Sequence, residues 1–83
     1  MEFAESTEGQ HRIFVGALES PHGDGYIAAL VINHSAADSV RRVVYRDDSL
    51  ACGYRWNTPQ EALTYAMERG RDYVKKSVYQ LQT

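Results

Sequence analysis

The chain has one cysteine, two prolines and one tryptophan in 83 residues, and its net charge is −2. Each shortage excludes something. A lone Cys52 can form neither an intramolecular disulfide nor a multi-thiolate zinc site. The slight acidity removes any global electrostatic case for nucleic acid or an anionic membrane, so a basic patch would have to be local. No apolar run approaches the roughly 20 residues that a membrane span requires. The opening MEFAESTEGQ is acidic and polar, without the charged-then-apolar layout of a signal peptide. With the lone thiol, this leads us to expect a cytoplasmic protein that does not enter a membrane.

What is present is alternation and then a helix. Residues 1–10 read as a flexible lead-in anchored only by Phe3, and residues 11–83 as a single α+β domain. HRIFVGALE (11–19) has the apolar, β-branched character of a strand. SPHGDG follows, and its Asp24-Gly25 pair tolerates positive φ, as a turn requires. YIAALVIN (26–33) is apolar almost throughout and reads as a strand covered on both faces. HSAADS (34–39) is a polar loop. VRRVVYRD (40–47) predicts a third strand and LACGYRW (50–56) a fourth, with Leu50, Cys52, Tyr54 and Trp56 on one face. From Pro59 to about Ser77 the spacing predicts an amphipathic helix. Thr58 serves as its N-cap, Pro59 sits at its first position and Glu61 completes a capping box. Its apolar stripe is Leu63, Ala66, Met67, Gly70, Tyr73, Val74 and Val78. Glycine inside that stripe predicts close approach to a bulky sheet residue, Trp56 or Tyr54. Short connections between strands imply an antiparallel meander with the helix on one face, in the order β-β-β-β-α.

Catalytic signals are weak. His11, His22 and His34 lack the spacing of metal ligands. Asp47 and Asp48 are adjacent and suit a turn, and Cys52 in a strand beside Leu50 behaves as a small apolar residue. We therefore expect no enzyme activity, no cofactor and no metal.

Two surfaces stand out. One helix covers one sheet face, yet Ile27, Ala29 and Val31 are as apolar as Ala28, Leu30 and Ile32 on the opposite side. Phe14 and Leu18 repeat the pattern. A face of Ile27, Val31 and Phe14 therefore needs a cover: the N-terminal segment through Phe3, the C-terminal VYQLQT, or a second molecule. The expected role is that of an interaction module, either a homodimer or a binder of a protein partner. The alternative is nucleic-acid binding. If Val43 and Tyr45 face the helix, then Arg42, Arg46 and Arg55 share the open face, where guanidinium groups could follow phosphates.

Three resemblances accompany these patterns. YRWNTPQEALTYAMERGRDYV resembles the strand-to-helix junction of small uncharacterised bacterial proteins with a meander and one C-terminal helix, which implies fold and not activity. GYIAAL before a final TPQEA helix is similar to HicB-type antitoxins, which implies a protein partner. A sheet bearing arginine and tryptophan and backed by a helix is similar in topology to plant-type AP2 DNA-binding domains, which implies groove binding.

Overall fold

The computed structural model describes residues 2–35 and 41–81, with the side chains of Ser35, Arg41 and residues 77–81 outside that description. The order is β1 (Glu2–Glu8), β2 (His11–Glu19), β3 (Tyr26–Ser35), β4 (Arg41–Asp47), a single turn α1 (Leu50–Gly53) and a long helix α2 (Pro59–Leu81). The four strands form one antiparallel sheet in the order β1-β2-β3-β4. The α+β meander with its C-terminal helix is therefore present, with a different assignment of two segments. Most of the expected 34–39 loop lies outside the described residues, while His34 and Ser35 close β3.

Residues 1–10 depart from the expected flexible lead-in. Glu2–Glu8 are not a lead-in but β1, paired along its whole length with β2 from Glu2↔Ala17 to Glu8↔His11. A two-residue loop, Gly9-Gln10, joins them, and Gly9 has φ 62. Glycine first in a two-residue hairpin loop supplies the positive φ that matches the twist of the flanking strands. β1 was hidden because its composition is polar. It is an edge strand held by main-chain hydrogen bonds rather than by burial.

Residues 50–56 do not form the expected fourth strand. Ala51 and Cys52 lie in the left-handed region at φ 55 and 56, followed by Gly53 at φ 81. The chain loops away after β4, inserts Leu50 into the core at 4% exposure, and leaves Cys52 exposed. It returns at Trp56, where a single bridge to Tyr26 is made by two backbone hydrogen bonds of 2.8 Å. Alternation of Leu50, Cys52, Tyr54 and Trp56 imitates a strand, but three consecutive left-handed residues cannot propagate one.

The helix begins as its cap residues require. The Glu61 amide donates to Thr58 Oγ1 at 3.2 Å, and Ala62 N donates to the Thr58 carbonyl at 3.3 Å. Its innermost ridge is Ala62, Ala66, Gly70 and Val74, all buried. Leu63, Met67 and Tyr73 flank it, packed against the core, and Val78 has its side chain outside the described residues. Small residues at four-residue spacing let the helix settle onto a sheet face built of bulky ones: Ile13, Val15, Leu30 and Ile32. Close approach at Gly70 is real, but its neighbours are Ile13 and Leu30 rather than Trp56 or Tyr54.

Candidate interaction face

The sheet register sorts every strand residue to one of two faces, because directly paired residues point the same way. Toward the helix stand the pairs Ile13↔Ile32, Val15↔Leu30 and Ala17↔Ala28, which form the core. Away from it stand Phe14↔Val31, Gly16↔Ala29 and Leu18↔Ile27. The three residues singled out in the sequence, Phe14, Ile27 and Val31, thus share this outer face. All three are half-buried, and none belongs to the buried core. Both α1, through Leu50, and α2 pack on the other side.

β1 widens the outer face instead of covering it. Phe3 pairs with Gly16, and a Cβ on Gly16 would lie 3.3 Å from the Phe3 ring carbons. The ring therefore rests on a glycine, yet Phe3 remains 70% exposed. Beside it lies an apolar concavity of about 250 Å³ whose floor is Gly16 and Ala29 and whose walls include Phe3, Phe14, Leu18 and Val31. Among the described residues the N-terminal segment brings one ring, Phe3, to this face, and the side chains of Val78, Tyr79 and Leu81 lie outside the described residues.

The arginines do not gather there. Arg46 pairs with Val31 on the outer face, but the register shifts between Ile32 and Asn33. Beyond that bulge Val43 stands across from Asn33, and Arg42 stands across from His34 on the helix side. One extra residue in a strand reverses the facing of everything beyond it. Val43 and Val44 are consequently exposed, at 61% and 41%. Arg55 sits far along the molecule, its Nε 3.1 Å from Asp24 in the β2–β3 loop, and Arg46 Nε is 3.3 Å from Asp48. The expected common face of Arg42, Arg46 and Arg55 is therefore corrected. Asp24 is held below the usual carboxylate range by the Ser20 hydroxyl first and by Arg55 after it.

A polar row closes one end of the helix-side face: Glu8, His11, His34 and Arg42 are successive cross-strand neighbours. The two imidazoles lie 4.8 Å apart, and Arg71 from α2 holds Glu8 at 3.2 Å. Burial, and then the charge of His34, push His11 below its ordinary 6.5. A base whose folded pKa is depressed favours the fold above the unfolded pKa and opposes it as pH falls through the folded one. Stability should therefore drop between about pH 7 and pH 5. In His11→Asn that dependence should flatten, with urea midpoints measured at both ends of the range. An unchanged slope in the variant would show that His11 is not the group responsible.

Asp47 behaves as turn chemistry predicts, its Oδ1 accepting from Ser49 N at 2.9 Å. Among the described residues no three His, Cys, Asp or Glu side chains converge to hold a metal, and no helix is long and apolar enough to cross a membrane. No family model, no curated protein and no solved structure matches this chain.

Proposed function

We propose that this protein is a non-enzymatic interaction module that self-associates through the outer face of its sheet, in a reducing, cytoplasmic and bacterial setting. The observation that carries the reading is the contiguous apolar strip formed by Phe14↔Val31, Gly16↔Ala29 and Leu18↔Ile27, with Phe3 at its edge. An antiparallel sheet with one wet face alternates apolar and polar residues, and β3 does not. Each large side chain moved from water into a contact contributes about 1.5–3 kcal/mol. A strip of this kind favours a second protein surface over solvent. The exposed thiol of Cys52 supports a reducing compartment, and the strand-to-helix junction resembling small bacterial proteins supports the source.

Val31→Lys tests the reading. The side chain lies outside the core, and lysine can carry its ammonium to water, so the domain should stay folded. Sedimentation velocity should show a concentration-dependent dimer for the parent chain and a monomer for Val31→Lys, with unchanged helical circular dichroism. A parent chain that stays monomeric at the highest attainable concentration would sink self-association. So would a dimer that survives both Val31→Lys and Ile27→Lys.

A further inference from the structure

One row of the outer face is charged at its ends and apolar in its middle. Glu5 pairs with Phe14, Phe14 with Val31, and Val31 with Arg46, so these four stand side by side across the sheet. The row therefore reads acid, aromatic, aliphatic, base. Glu5 is exposed on the β1 edge, and the Arg46 side chain is 68% exposed on the β4 edge. We propose that a second copy of this chain docks on this face about a two-fold axis parallel to the strands, with Glu5 of each copy against Arg46 of the other. The proposal rests on the self-association put forward above and specifies its geometry.

Symmetry selects this arrangement. A two-fold axis lying between two stacked faces and running along the strands exchanges β1 with β4 and β2 with β3. It leaves each residue's position along the strand unchanged. Glu5 then faces Arg46 twice, and Phe14 faces Val31 twice, as an isologous contact requires. The next row follows the same rule: Gly16 faces Ala29, so the shallow floor of each copy lies over that of the other, with the Phe3 ring of each copy at its margin. The polar row beyond places Arg12 against Asn33, which sets no like charges together. An axis across the strands at the same row would instead stack Glu5 on Glu5 and Arg46 on Arg46. Like charges at such a contact select against that arrangement.

Reach and size are compatible with the docking. Sheets packed face to face align within about 30°, and the edge strands lie only about 7 Å from the axis, so long side chains still meet. Arg46 holds Asp48 through Nε, and a guanidinium has further N–H donors for a second carboxylate. The seven apolar positions cover roughly 230 Å² of plan area per copy, and about 300 Å² with the Glu5 and Arg46 ends included. That is well under half of a standard partner surface, which places the contact among weak, concentration-dependent ones.

The test uses two charge reversals, Glu5→Arg and Arg46→Glu. Either variant alone places like charges opposite each other at two points, and its self-association should weaken about tenfold or more. Mixed in equal amounts, the two variants should pair with each other at least as tightly as the parent chain with itself. In that heterodimer both edge contacts are again of opposite sign. Both reversals in one chain should likewise restore self-association, and added salt should erode all these differences. Both positions are exposed, and a thermal melt of each variant verifies that it is folded. If the mixture associates no better than its components, the two-fold arrangement is wrong. If Val31→Lys still dissociates the parent dimer in that case, the outer face remains the contact and only its geometry fails. Single reversals that leave association unchanged would overturn the proposal as well.

Discussion

Replacing Gly70 with leucine is expected to destabilise the domain by about 3 kcal/mol or more. A Cβ at Gly70 would sit 2.6 Å from Ile13 Cγ2 and 3.0 Å from Leu30 Cδ1, both in fully buried side chains. The closer contact is with a methyl on the β-carbon of fully buried Ile13, which moves only with its backbone or its rotamer, so relief requires the helix or the sheet to shift. Helix propensity pulls the other way, since leaving glycine gains up to about 1 kcal/mol in a helix interior. Overpacking by a branched side chain costs typically 1–3 kcal/mol for far smaller insertions. The clash wins, and α2 has to lift off the sheet. An 83-residue domain has a total stability of about 4–12 kcal/mol, so the loss is a large share of it. Urea denaturation read by circular dichroism measures the change. A midpoint raised by Gly70→Leu would mean that the helix does not lie on Ile13 and Leu30. Gly70→Ala should show a smaller loss of the same sign.

Gly25→Ala should cost about 3 kcal/mol for a different reason. Gly25 has φ 133, a region open essentially to glycine alone. Its added Cβ would also meet the Trp56 carbonyl oxygen at 2.6 Å and Arg55 Cβ at 3.3 Å. That carbonyl accepts the Tyr26 amide at 2.8 Å, and Gly25's own carbonyl accepts Ser20 N at 2.9 Å. Alanine therefore strains the loop and pushes away the segment that brings Trp56 to the sheet. Loss of the bridge should also move Trp56 away from Tyr26, which tryptophan fluorescence can follow alongside the denaturation midpoint. Gly23→Ala is the control. It carries positive φ at 69, but nothing lies within 4 Å of its added Cβ. Equal losses at the two positions would show that backbone strain alone is responsible and that the close approach to Trp56 contributes nothing.

The outer face was legible because β3 itself declares it. Seven consecutive apolar residues, Tyr26–Ile32, are informative without any knowledge of their neighbours, whereas the pairing of Phe14 with Val31 depends on a six-residue β2–β3 connection, Ser20–Gly25, that only the register shows. Glu5 was not legible. Its importance comes only from standing beside Phe14, and that adjacency depends on β1 being a strand. The two-residue loop at Gly9 was the available signal. It was outweighed by the polar composition of residues 2–8, which resembles that of an unattached terminus. The arginine face failed for a related reason. Strict alternation from Tyr45 puts Arg42 and Arg46 together, while one extra residue near Val44 puts them apart.

By itself the sequence determined the elements whose cause is local. α2 follows from a cap at Thr58 and a period of 3.6, and the β2–β3 hairpin follows from β-branched runs around a glycine-bearing turn. It also determined that one helix cannot cover two apolar sheet faces. Tertiary structure alone decided that the polar residues 2–8 become an edge strand, that LACG turns left-handed to bury Leu50, and that Arg42 and Arg46 part company. Each of those outcomes is set by a backbone or side-chain partner distant along the chain. Main-chain hydrogen bonds to β2, burial of Leu50 in the cluster that holds Leu30, and a bulge against Asn33 leave no periodic trace in the residues that answer to them.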